Sequence, residues 1–150
     1  MIAAPASSRQ ELWRTVLALH PWERVVDVTA SNSVPAVTLA DLLGESTGSV
    51  CVKVDGAGFD GAVRAGAGRT LDRIEHWAVM VEAQRLHPGE LAEWAARDPA
   101  YLLDHRTGRL VRVPGGLVDL TAYMLESGWL HPRDCLLTSP AVAETIARLS

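Results

Sequence analysis

Thr70-Leu-Asp-Arg-Ile-Glu-His-Trp-Ala-Val-Met-Val-Glu-Ala-Gln-Arg-Leu86 is the stretch on which the fold turns. Leu71, Ile74, Ala78 and Val81 fall on one stripe at helical spacing, which predicts a helix over 70–86. Within the same stretch, Trp77-Ala-Val-Met-Val81 is an unbroken apolar run of the kind that forms the core of a strand. Periodicity favours the helix, with the strand as the alternative. The choice carries chemistry with it, because His76 lies at the junction. On a helix it is a polar-face residue; on a strand it becomes available to groups on a neighbouring strand.

Upstream of this stretch, Leu12, Val16 and Leu19 recur at helical spacing behind the Ser8…Glu11 capping pattern, which predicts a helix from Arg9 to Leu19 that stops at His20-Pro21. Trp22 to Thr29 is β-rich, with Val26 and Val28 on one side, and Val50-Cys-Val-Lys-Val54 alternates with period two. Between them Thr38 caps a short predicted helix through Leu43, ended by Gly44. Five of the 12 glycines crowd between Gly56 and Gly68, marking a loop.

Downstream, a helix is predicted from Gly89 to Arg97, closed by Asp98-Pro99. Tyr101-Leu-Leu-Asp104 and Arg109-Leu-Val-Arg-Val113, joined through Gly108, read as a hairpin. Leu117, Leu120, Met124 and Leu125 describe another helix ending near Gly128, and Ser139-Pro140 starts a last one lined by Val142, Ile146 and Leu149. Leu-His-Pro recurs at 19–21, 86–88 and 130–132 with no solenoid period, as repeated helix termination. The sum is one globular domain over residues 1–150, of α+β class: a small, mostly antiparallel sheet of three to five strands, including the hairpin near 101–113, covered by four or five helices.

At 150 residues, 48% hydrophobic and 21% charged, the chain is long and apolar enough to build a full core. No export signal stands at its start, and no apolar run approaches the ~20 residues that span a bilayer, so a soluble, cytoplasmic protein is expected. Cys51 and Cys135 match no zinc or redox spacing, which points to reduced thiols. The net charge is −4, and the basic residues, all arginine apart from Lys53, are scattered. Phosphate recognition needs a concentrated positive face, so nucleic acid is not an expected partner. The bias to arginine, alanine, glycine and valine has the look of a GC-rich bacterial genome.

Three groups of residues could carry function. Gly56-Ala-Gly58-Phe-Asp-Gly61 has the spacing of a dinucleotide-binding loop after a predicted strand. Asp55 and Asp60 would set negative charge against a phosphate there, so the glycines read instead as a plain loop, with a small-molecule pocket open at Gly56, Gly58 and Gly61 as an alternative, and no cofactor is expected. Histidines and acids are present without the close spacing of a zinc pair, so no metal site is expected. The five tryptophans outnumber the single Phe59; Trp13, Trp77 and Trp94 read as core, whereas Trp22 and Trp129, beside His-Pro turns, are placed to meet a partner.

Cys51, His76 and Asp104 supply, in that order, the nucleophile, base and orienting carboxylate of thiol chemistry. With 76–81 taken as a strand, a histidine there and an acid on a neighbouring strand resemble the His and Asp half of papain-like domains. That resemblance implies a cysteine-dependent hydrolase, deamidase or acyltransferase. Its point of departure is the nucleophile, which papain-like enzymes set at a helix N-terminus, whereas Cys51 falls within a predicted strand. The alternative for Cys51 is a small buried hydrophobe. The first expectation for function is therefore an accessory or binding protein acting through contact with another protein, with a homo-oligomer left open; thiol chemistry and small-molecule binding are the alternatives.

Overall fold

A computed structural model describes residues 5–29, 43, 48–55, 70–82, 96–104, 107–113 and 134–149. In chain order these form helix α1 (Pro5–Ala18), strands β1 (Arg24–Thr29), β2 (Val50–Asp55), β3 (Trp77–Glu82), β4 (Ala100–Asp104), β5 (Arg109–Arg112) and β6 (Asp134–Thr138), and helix α2 (Pro140–Leu149). The strands make one sheet in the order β1-β2-β3-β6-β4-β5. β1, β2 and β3 run parallel, and β6 then enters antiparallel between β3 and β4, with β5 antiparallel at the far edge.

This corrects the expected fold in three respects. The sheet has six strands and is mixed, not a mostly antiparallel sheet of three to five. Among the described residues it carries two helices, of 14 and 10 residues, and short helical pieces at 43, 70–72 and 96–97, not a cover of four or five helices. The helix predicted over 70–86 is divided: the helical turn ends at 72, and β3 begins at Trp77. Leu71 and Ile74 belong to that turn and its exit, Ala78 and Val81 to the strand, so the apparent stripe joined two separate elements. Trp77 to Val81 are all buried, as in a strand covered on both faces, where alternation vanishes and any spacing can be picked out. β6 had no counterpart in the sequence reading for the same reason: Cys135 to Thr138 are completely buried, without a polar face to mark the period.

Elsewhere the local signals agree with the structure. α1 ends where His20-Pro21 required, although it begins at Pro5, three residues before Ser8. Gly108 turns the β4–β5 hairpin with a φ of 70°, the left-handed region that glycine enters without strain, and its N–H donates to the Asp104 carbonyl at 2.8 Å. Ser139 caps α2, accepting the Val142 N–H on Oγ at 3.4 Å, while Pro140 occupies the first helical position. Of the helix expected over 38–43 only Leu43 is described, and it is helical and buried; of that over 89–97 only 96–97 are described, and these are helical. The helix expected over 117–125 lies outside the described residues.

Strand alternation assigns the faces. Cys51, Ala78, Met80, Leu136, Tyr101 and Leu103 lie on one side and pack with Leu12, Val16 and Leu19 of α1 and its exit and with Val142, Ala143 and Ile146 of α2. Val50, Val52, Val79, Val81, Cys135, Leu137 and Leu102 are buried on the other side. No helix among the described residues is long and apolar enough to cross a membrane.

Candidate functional site

Cys51 is the second residue of β2 and lies on the face covered by α1, with no exposed surface. Burial alone pushes its thiol up to about 12. The thiolate is the nucleophile, and at neutral pH a thiol of that acidity supplies almost none. Asp104 is buried on β4, with β3 and β6 between that strand and β2; three strand spacings make about 14 Å. Asp104 also sits one residue out of phase with Tyr101 and Leu103, which share the Cys51 face, so its side chain is directed to the opposite one.

His76 precedes β3, two residues before Ala78, the register partner of Cys51. Its ring is taken up by another imidazole: His20 stacks on it with 4.3 Å between centroids and 16° between planes. The structure therefore sets Asp104 across the sheet from Cys51, and turns the His76 ring to His20. Trp22 is half-buried, packs against the core, and donates its Nε1–H to the Val16 carbonyl at 3.0 Å, which makes it a brace for the end of α1. Trp129, Gly56, Gly58 and Gly61 lie outside the described residues.

A different site emerges from the topology. β6 leaves the sheet beside the starts of β3 and β4, so Ser139 and Pro140, the helical turn before β3, and the segment entering β4 are brought to one end of the sheet. Ser139 welds the corner. Its N–H donates to the Trp77 carbonyl at 3.0 Å, its Oγ accepts the Trp77 N–H at 3.2 Å, and the same Oγ caps α2. Thr138 N–H donates to the Pro99 carbonyl at 3.0 Å, tying β6 to the entry of β4.

Around that corner opens a cleft of about 570 Å³. Leu71, Ile74, Trp77, Pro140 and Ala141 supply its apolar wall, and Asp72, Glu75, Arg97, Asp98 and Ser139 its polar groups. Asp72, Glu75 and Arg97 are exposed, so the rim can exchange water for a ligand without a large desolvation penalty. A smaller depression of about 160 Å³ lies between the two helices and the hairpin turn, lined by Thr15, Leu19, Leu110, Ile146 and Leu149 among others. No group of three or more His, Cys, Asp or Glu among the described residues could hold a metal ion.

The sequence reading passed over the cleft because its parts are far apart in the chain. In the sequence Asp98 marks only a helix stop, Glu75 falls within a predicted helix, and Ser139-Pro140 marks only a helix start. The available signal was the pair of X-Pro breakers, Asp98-Pro99 and Ser139-Pro140, each flanking an apolar run. Placing them side by side requires knowing that β6 pairs with β4. Set beside known proteins, the chain matches no protein-family model, no curated protein and no solved structure, and the cleft is accordingly read from its own residues.

Proposed function

We propose that the chain is a non-covalent binding module acting through contact with another protein, and that it receives its partner in the cleft between 71–77, 97–98 and 139–141. The observation that carries this reading is the cleft itself: about 570 Å³, with an apolar wall beneath a polar rim. Protein contacts concentrate their energy where a large side chain enters such a pocket and exposed polar groups surround it. Two exposed carboxylates, Asp72 and Glu75, stand against one exposed guanidinium, Arg97. The complementary ligand is a peptide segment with an apolar anchor flanked by a basic residue, the charges serving selection and approach more than affinity.

The test is an NMR titration of the isotope-labelled chain with short capped peptides that pair a leucine or tryptophan with lysine or arginine, alongside their aspartate and glutamate counterparts. The expected result is that amides of 71–77, 97–98 and 139–141 shift with the basic set and little with the acidic set. Asp72→Arg with Glu75→Arg should reverse that preference while changing stability by less than about 0.5 kcal/mol per site. Shifts centred on β1 or on the depression between the helices, or none with either set, would overturn the assignment. The volume also lies in the range of about 300–1,000 Å³ usual for small-molecule sites. A small organic cation that saturates the same amides when the peptides do not would make the chain a small-molecule-binding domain.

A further inference from the structure

At the edge of the cleft wall, His76 stands between Glu75 and Trp77, both of which line the cleft, while its own ring turns to the stack with His20. The stack joins two segments distant in the chain, the turn from α1 to β1 and the N-terminal end of β3. Each segment is pinned close by. Val50 N–H donates to the His76 carbonyl at 3.0 Å, and Trp22 N–H to the His20 carbonyl at 2.9 Å. Trp22 tilts against His20 with 5.1 Å between centroids and holds Val16 through its indole N–H.

Two imidazoles face to face attract one another while they are neutral, but two imidazolium ions at the same separation repel strongly. We propose that the His20–His76 stack is an acid-released latch, which clamps the α1–β1 turn to the start of β3 when neutral and lets go when protonated. Burial holds the His20 pKa below its ordinary value of 6.5, the charge of His76 lowers it further, and Glu23, in the turn before β1, acts in the opposite sense. The other charged groups next in the chain are Glu75, beside His76, and Arg24, whose guanidinium donates to the Leu43 carbonyl at 3.4 Å.

The sign follows from these partners. A folded-state pKa below 6.5 means that the released state binds more protons, so the latch is fully closed above pH 6.5 and weakens as pH falls below it. Release would unseat Trp22 from the end of α1 and loosen the Glu75–Trp77 wall. The latch stands independently of what the cleft binds.

Hydrogen–deuterium exchange of the full chain between pH 7.5 and 5, corrected for the intrinsic rate, tests it. Protection of the Trp22 indole N–H and the Val50 amide should fall about tenfold below pH 6.5, while the Leu136 amide in β6 stays protected. His20→Phe keeps a flat ring that cannot titrate, and its protection at Trp22 and Val50 should stay within about twofold over the same range. Equal loss in that variant and the unaltered chain would overturn the latch, as would loss that extends to Leu136 or no pH dependence at all. Should His20→Phe not fold, His76→Phe repeats the comparison from the other ring. In the unaltered chain, an NMR titration that places the His20 midpoint at or above 6.5 would also overturn it.

Discussion

β3 and β6 form the seam of the sheet, where Val79 faces Leu137 and Met80 faces Leu136, every one of them buried, between strands that lie far apart in the chain. The β4–β5 hairpin at the other side pairs neighbours in sequence across a glycine turn, and its outer strand is exposed at Arg109 and Arg112 and half-buried between them. The seam is a core made of backbone ladders, closed to solvent on both faces. The hairpin is a local unit, with charged ends that discourage further strands from adding at the edge. β1, at the opposite edge, is exposed in the same way at Arg24, Val25 and Asp27. Stability should therefore concentrate in the seam, and tolerance to substitution at the two edges.

The sharpest way to break this comparison is a matched pair of truncations. Leu137→Ala opens a cavity in a side chain with no exposed surface and should cost about 2–5 kcal/mol by urea denaturation, against less than about 1 kcal/mol for Val111→Ala on half-buried β5. Equal losses would mean that the seam is no better packed than the edge. Ser139→Ala comes next, because one oxygen serves both the Trp77 N–H and the α2 cap; the expected loss is about 1–3 kcal/mol, seen also as faster amide exchange at Trp77 and Val142. On the hairpin side, Gly108→Ala must hold a side chain at positive φ and should cost about 1–2 kcal/mol.

The last effect is one of pH. Cys51 has an ordinary thiol pKa of 9.0 when unfolded and about 12 when folded, so the unfolded chain loses its proton first as pH rises. The stability owed to the neutral buried thiol is complete below pH 9 and drains away between about 9 and 12. By pH 10 the loss should be about 1 kcal/mol, measured as a fall in melting temperature that Cys51→Ala reduces. A thiol that alkylates readily in the folded chain at pH 7 would contradict both this and the sealed position of Cys51.

Legibility followed the same division between seam and hairpin. The hairpin, α1 and α2 announce themselves through turns, X-Pro stops and an N-cap, all written within a few residues of where they act. Leu12 and Val16 were readable as the inner face of α1, with Leu19 at its exit, because the helix is covered on one side only, which leaves the period intact. β3 was legible only as the alternative to a helix, and β6 not at all, since burial from both faces erases the period that separates strand from helix. The same loss hid the cleft, whose walls meet only through the β3–β6 and β6–β4 pairings. Trp22 was legible as a residue beside a turn, but its hydrogen bond to Val16, which makes it a brace, was not.

From its sequence alone this protein had to be a folded α+β chain with a glycine-turned hairpin and amphipathic helices at each end, because those features depend on contacts between near neighbours. The tertiary structure alone decided that 77–82 is a strand, that β6 runs between β3 and β4, that Cys51 and Asp104 face away from each other, and that His20 meets His76. The places of the strands are pairings across the sheet and the His20–His76 contact joins two segments distant in the chain, all settled by which apolar faces can be buried together, and apolar runs that are buried on every side carry no mark of their partners.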